Sequence, residues 1–486
     1  MKIKISDKSL FGSEIAEDET DDVFISYAVS RQEVVEFLNI DNPIAIVRAY
    51  KGDGKSALLR LVKMGLTAST DPSLTIHISA HSVSPDIESN DSDKWIRGWK
   101  ANLLSLAARE IGANISRAFS DDAIALVEEA ESNGFKSRSF FSAIADRLSS
   151  KAVPLEIKRI GASNPEELLK RWCTGKSYIW FLIDDVDQNF ENTAKYKAKI
   201  AAFFTALRHI SIQIPEFRFR ATIRPNVWSI IKREYEALSH VEQYIHDIRW
   251  SQTDFYELIA KRIEGYLRRN NQWDEAAKNL PKKPYERNQH LIALVFEDPM
   301  PWGPERTRPP GVVLYTLARH RPRWLVELWK VSANAATKIG RGKISLQEIN
   351  NELASFGQRR IDDAIAEFRS QCPEVGELII AFSGQPERFK TSDLITILKN
   401  RVLQAVTPNI VGVLGTPTAT DVAHFLFQIG FLTARRDLEN GDYEHIAYAE
   451  NPMLLAARTN LDQGYAWEVH PVFRHPLRLK NYTGKD

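Results

Sequence analysis

Ala49-Tyr50-Lys51-Gly52-Asp53-Gly54-Lys55-Ser56 is the stretch that decides how this chain is read. The apolar run Ile44-Ala45-Ile46-Val47 precedes it, and Ala57-Leu58-Leu59-Arg60-Leu61-Val62 follows. That order predicts a buried strand over 44–49, a Gly-rich loop, and a helix over 55–69. The loop fits the phosphate-binding pattern G-x-x-x-x-G-K-[ST], with Ala49 at the first position. Gly52 and Gly54 let the backbone wrap closely round an anion with its N–H groups pointing inward. Lys55 supplies a point charge for the β- and γ-phosphates, and Ser56 a hydroxyl for Mg²⁺. The helix that opens at Lys55 and Ala57 aims its positive end at the same anion. The alternative is a surface turn that happens to contain Gly-Lys-Ser. The strand before it and the helix after it argue against that.

A second apolar run, Tyr178-Ile179-Trp180-Phe181-Leu182-Ile183, ends in Asp184-Asp185-Val186-Asp187. A carboxylate at a strand tip, here Asp184, holds Mg²⁺ beside a phosphate loop. A second acid next to it, Asp185, orients and deprotonates an attacking water. The next strand, Phe217 to Ile223, is closed by Arg224-Pro225. In this class it is expected between the two motif strands. A polar residue at its end then faces the γ-phosphate, with Arg224 the first candidate and Thr222 the second.

The chain has 486 residues, 43% hydrophobic and 26% charged, and a net charge of +1. That length predicts several domains of an ordinary globular protein. Near-neutral charge leaves nucleic-acid binding to local patches. The two cysteines, Cys173 and Cys372, form no metal-type cluster and suit a reducing compartment. Met1 to Asp7 lacks a signal-peptide core, and no run of about 18 apolar residues occurs. A cytoplasmic protein without a membrane span is expected.

Residues 1–20 read as an irregular lead-in with a solvated acidic cluster, and 23–39 as one helix beside the loop. Leu74 to Ile78 reads as a strand. His77 and His81 are expected in structural or exposed roles. Residues 82–170 read as a helical insertion: Trp95 to Ile111, Ala123 to Glu131 and Phe140 to Leu148, punctuated by Pro85, Gly134 and Pro154. Val241 to Trp250 reads as the last strand of a domain spanning 1–250. Ser251 and Asp254 then form a helix start. Helices over 252–269, 286–296, 311–319, 323–339 and 345–369 make a lid, 251–370, with a loop at Pro299 to Pro310. A lid Arg that reaches the nucleotide would be Arg323 or Arg321, with Pro322 opening the helix. In 371–486, helices at 373–383, 391–403 and 419–429 lead into a hairpin across Asn440-Gly441-Asp442, and Trp467 to Phe473 adds a strand. That is the pattern of a winged helix. Its basic tail, Arg474, His475, Arg478 and Lys480, is short enough for a solvated end.

With these motifs in order, the chain resembles the bacterial STAND and AAA+ branch of P-loop NTPases. Ile183-Asp184-Asp185-Val186-Asp187 is similar to the acidic motif of KAP and NB-ARC ATPases. Thr222-Ile223-Arg224 is similar to the NB-ARC motif that ends in Arg. Arg321-Pro322-Arg323-Trp324-Leu325 is similar to the lid motif whose Pro lies near adenine. The resemblance implies an α/β P-loop domain of the ASCE type, a helical lid and a C-terminal winged helix. It implies ATP and Mg²⁺ as ligands, with Ala49 to Ala57, Pro322 and Arg323 at the nucleotide. The chain also looks like bacterial ATPases from mobile-element and phage-defence neighbourhoods. That implies an assembly ATPase acting as a homo-oligomer with a separate effector protein from the same operon. Asp185 stands where many AAA+ enzymes carry Glu, one methylene longer, which implies slow turnover. Two alternatives stay open: an AAA+-like ATPase that holds DNA through its winged helix, and a scaffold that holds ATP without hydrolysing it.

Overall fold

Ile44-Ala45-Ile46-Val47 and Ile179-Trp180-Phe181-Leu182-Ile183 hold no polar residue, as suits strands covered on both faces. The computed structural model describes residues 3–69, 73–113, 167, 169–170, 173, 178–303, 306–438, 443–456, 462 and 464–481. The expected helices at 123–131 and 140–148 and the turn at 440–442 lie outside them. Strands β1 (Ile44–Arg48), β2 (Leu74–Ser79), β3 (Ile179–Asp184), β4 (Phe217–Ile223) and β5 (Ile245–Asp247) form one parallel sheet. Its order is β2-β3-β4-β1-β5, so β4 lies between the two motif strands as expected.

The described chain forms two compact units. One comprises Ser30–Tyr50 and Gly54–Ile248, and the other Met1–Val29, Lys51–Asp53 and Arg249–Asp486. In the sheet unit the helices Lys55–Ala68, Ser92–Ala113 and Ala194–Gln213 flank the strands. Phe181 stacks on Phe219, and Trp99 meets Phe203 edge to face. Such pairs add about 0.5–1.5 kcal/mol each beyond buried area.

The run Phe217-Arg218-Phe219-Arg220 alternates like a half-exposed strand, yet all of β4 is buried. The two arginines are satisfied by backbone carbonyls. Arg220 donates to the carbonyls of Phe37, Asn39, Asn42 and Phe219. It sits 4.6 Å from the centre of the Trp180 ring. Burial pushes its pKa down to about 9. Arg218 likewise donates to Ile40, Pro215 and Phe217. Together they tie the turn before β1 to the middle of the sheet.

Several expectations are corrected. Residues 23–39 form two helices, Asp21–Tyr27 and Gln32–Leu38, because Ala28 and Arg31 are extended. The Ala28 carbonyl accepts from Lys261 Nζ instead of continuing a helix. The lead-in is packed rather than irregular. Lys8–Phe11 is helical, Leu10 and Phe11 are buried, and Phe11 meets Trp329 edge to face. Of 241–250 only the three residues of β5 pair, after 3₁₀ turns at Glu236–His240 and Glu242–Tyr244. The Pro-rich loop holds a two-stranded ribbon, β6 (Met300–Pro301) against β7 (Thr307–Arg308). His77 and His81 are exposed.

In the other unit, Ser251 and Asp254 do form a capping box at the start of the helix Gln252–Arg269. Helices Pro284–Ala293, Pro310–Leu317, Pro322–Lys338 and Leu346–Phe368 complete the helical part. The winged helix follows: helices Val375–Ile380, Thr391–Ile397 and Ala419–Gln428, then an antiparallel sheet. Strands β8 (Arg388–Phe389), β9 (Leu432–Asp437), β10 (Tyr443–Ile446) and β11 (Ala466–Val469) lie in the order β10-β9-β11-β8. The strand expected at 467–473 stops at Val469, because Pro471 opens a short helix.

Candidate nucleotide-binding site

The loop after β1 is shaped as its glycines require. Gly52 and Gly54 have φ of +90° and +97°, where a side chain would be strained. Ala49 is buried and donates to Ile223, which continues the pairing with β4 into the loop. Gly54 caps the helix Lys55–Ala68, whose first turn carries Lys55, Ser56 and Ala57. Lys55 Nζ donates to the carbonyls of Ala49 (3.0 Å) and Tyr50 (3.3 Å), so the ammonium is folded back across its own loop.

Two strands away the acidic run divides its labour. Thr222 is fully buried, in register with Val47 of β1. Its hydroxyl donates to Asp184 Oδ1 at 2.5 Å and accepts the amide of Asp185 at 3.2 Å. The Asp185 amide also donates to Asp184 Oδ1 at 2.9 Å. These bonds hold Asp185 at φ +53°, with the residue exposed beyond the strand tip. Protein atoms packed round its carboxyl, then the neighbouring Asp184, raise its pKa; Asp187 adds to this, while Lys55 and Arg224 oppose it. Asp187 is buried and accepts from Arg224 N (3.1 Å) and Nε (2.5 Å). Arg224 Nη2 donates to the Asp187 carbonyl. So Asp184 is fixed, Asp185 is presented, and Asp187 holds Arg224.

The loop tip, Lys51–Asp53, groups with the helical unit. Arg323 N donates to the Gly52 carbonyl at 3.3 Å, and a Cβ on Gly52 would lie 3.1 Å from that of Arg323. Pro322 takes the first position of the helix Pro322–Lys338. Arg321 is buried and pairs with Glu367 at 2.9 Å. The other Glu367 oxygen accepts the Lys51 amide at 3.3 Å. Trp250 Nε1 donates to the Asp53 carbonyl at 2.8 Å. Between the two lid arginines that the sequence leaves open, Arg321 is committed to Glu367. Among the described residues the Arg323 guanidinium makes no hydrogen bond or ion pair.

No family model matches the chain, and no curated protein does. Solved structures to which it is similar include the Aeropyrum pernix ORC2 protein in ADPNP–ADP complexes. That pair shares 11% identity over 97% of this chain and 96% of the other, with a TM-score of 0.43. The Walker-type ATPase PABY2304 of Pyrococcus abyssi shares 13% over 92% and 100%, with a TM-score of 0.38. Cdc6p from Pyrobaculum aerophilum shares 12% over 94% and 98%, with a TM-score of 0.33. Similarity this remote says nothing of activity.

Several charges of the winged helix pair with one another. Glu468 is buried, with Arg435 Nη1 at 2.7 Å, His445 Nε2 at 2.9 Å and Arg474 Nη2 at 3.2 Å. Although burial opposes it, these partners hold the Glu468 carboxyl down at about 2. Arg388 pairs with Asp437, and Arg436 with Glu444. The helix Ala419–Gln428 carries neither Lys nor Arg. Of the basic tail, Arg474 also pairs with Glu387. No helix among the described residues is long and apolar enough to cross a membrane.

Asp184, Asp185, Lys55 and Ser56 stand within sequence motifs. Glu367 and Trp250 lie outside any motif, and Thr222 stands behind Arg224 as a strand-end candidate. The signal for Thr222 was present: a hydroxyl at the end of an apolar strand expected to run beside the acidic tip.

Proposed function

We propose that this protein binds ATP with Mg²⁺ and hydrolyses it slowly, as the switch or assembly ATPase of a bacterial defence system with a separate effector protein. The observation that carries this reading is the Thr222 hydroxyl joining Asp184 and Asp185 at the tip of β3, in a sheet whose β1 leads into the phosphate loop. Parallel sheets bind ligands at the carboxyl ends of their strands.

Lys55 leaves the Ala49 and Tyr50 carbonyls to pair with the β- and γ-phosphates. Ser56 and Asp184 fit Mg²⁺: both offer hard oxygens, and Asp184 is already held by Thr222. The ion, when bound, neutralises charge on the phosphates. Asp185 orients the attacking water and takes its proton. Arg224, anchored by Asp187, faces the transferred phosphate, and Arg323 supplies the lid charge. Pro322 lies near adenine. Asp185 in place of the longer Glu supports slow turnover.

The output is a protein contact rather than a DNA contact. A helix without Lys or Arg, and the pairing of Arg388 and Arg435 with carboxylates, support that choice. Steady-state ATP turnover with and without DNA tests the reading. Slow hydrolysis unaffected by DNA is expected. DNA-stimulated turnover would favour the DNA-loaded alternative, and no turnover at all the scaffold.

A further inference from the structure

The residues just before the lid arginines have unusual backbone. Arg319 and His320 both have positive φ, +47° and +60°. Side chains rarely accept this conformation singly, and two in succession persist only where surrounding contacts hold them. The contacts come from both directions. On one side, His320 stacks flat on Tyr315, with centroids 4.0 Å apart. Tyr315 Oη donates to the Trp250 carbonyl at 3.1 Å, and Trp250 Nε1 donates to Asp53 in the phosphate loop. On the other side, Arg319 Nη2 donates to the Ile429 carbonyl at 2.7 Å, at the end of the helix Ala419–Gln428. Its guanidinium lies over Phe473 as well as Trp324. Gly430, at φ +68°, is what lets it in, because a Cβ there would collide with Nη2. The next residue, Arg321, holds Glu367 and through it the Lys51 amide.

We propose that the Arg319–His320 turn is a strained coupling element that carries the state of the phosphate loop to the winged helix. This rests on the nucleotide reading above and deepens it by naming the route. Its physical content is a turn held out of its preferred conformation by the loop tip on one side and the Ile429–Gly430 corner on the other. Nucleotide that moves the loop tip changes one set of restraints, so the other must respond. Conversely, cutting the Arg319 clamp lets the turn relax and withdraws Arg321 and Arg323 from the loop, which weakens nucleotide binding.

The test is hydrogen exchange on the full chain, apo and saturated with a non-hydrolysable ATP analogue and Mg²⁺, for wild type, Arg319→Gln and Gly430→Ala. In wild type, exchange is expected to slow at residues 49–57, and to change by about five-fold or more at 426–437. In Arg319→Gln the loop still responds at saturation, analogue affinity falls by about five-fold or more, and the change at 426–437 drops below about two-fold. Gly430→Ala attacks the same contact from the winged helix and should behave alike. Circular dichroism establishes that each variant is folded, and one folded variant suffices. A wild-type loop response with no change at 426–437 would overturn the proposal, as would an undiminished change there in Arg319→Gln. A loop that responds to no nucleotide would instead sink the nucleotide reading, and the coupling with it.

Discussion

Arg321 and Glu367 form a buried ion pair, Nη1 to Oε2 at 2.9 Å, and the second Glu367 oxygen accepts the amide of Lys51. The neighbouring Arg323 hydrogen-bonds the same loop through its amide, not its guanidinium. Two arginines separated by one proline therefore have different jobs. Removing Arg321 strands a buried carboxylate, so Arg321→Ala should lower stability by about 3 kcal/mol. Arg323→Ala should stay within about 0.5 kcal/mol of wild type, and should weaken ATP binding about ten-fold through one lost charge-assisted contact. Chemical denaturation and calorimetry on both variants check this. The reverse assignment of the two effects would contradict it.

Asp185 carries the proposed proton transfer, and its direction of titration follows from its raised pKa. A base works only when ionised. Single-turnover hydrolysis should therefore rise with pH through a pKa higher than that of an ordinary aspartate. Asp185→Asn should keep ATP binding, lose hydrolysis and lose this pH limb. Thr222→Val, which removes only the hydroxyl that holds Asp184 and the Asp185 amide, should slow hydrolysis by about ten- to a hundred-fold with little change in affinity. Wild-type rates in Asp185→Asn would move the base elsewhere, with Asp187 the next residue to test. Its tie to Arg224 makes it the poorer base.

Glu468 supports the winged helix through its charge. Its folded pKa, about 2, lies below the ordinary 4.5. The stabilisation is therefore fully present above 4.5 and is lost as pH falls through that interval toward 2. Glu468→Gln should cost about 3 kcal/mol at pH 7, and the gap to wild type should close at the acid end. Denaturation curves at several pH values read this directly. A gap independent of pH would show that packing, not charge, is what the substitution removes.

What could be read in the sequence was whatever is local. The Gly-rich loop, the acidic strand tip and the capping box at Ser251 each depend on residues within a few positions of one another. The place of β4 between the two motif strands was expected from the class of fold, whereas the places of β2 and β5 in the sheet were not. Pairings set by the tertiary fold left no such trace. Glu367 lies 316 positions from the Lys51 amide that it accepts. Asp187 looked like one more acid until β4 brought Arg224 to it from 37 positions away. Arg218 and Arg220 alternate with phenylalanine, yet both are buried, with carbonyls of the turns before β4 and β1 accepting from them. The break at Ala28 to Arg31 carries no Gly or Pro and could not be seen from propensity alone.

Assembly gives a further test of the switch. A nucleotide shifts assembly only by binding one state better than another. ATP-dependent self-association or effector binding should therefore vanish in Lys55→Ala and persist in Asp185→Asn. Light scattering in apo, ADP and non-hydrolysable ATP conditions, with and without the neighbouring operon product, measures it. A single unchanging monomer mass, with no product bound in any state, would remove the switch and leave the scaffold.

The nucleotide reading requires that the loop from Ala49 to Ala57 hold the phosphates of ATP. Calorimetric titration of Mg²⁺–ATP into wild type and Lys55→Ala tests it most directly, with circular dichroism to establish that the variant is folded. Saturable binding to wild type is expected, with a loss of at least about a hundred-fold in the folded variant, since the substitution removes the charge that meets the β- and γ-phosphates. Equal affinity in the two proteins would contradict it.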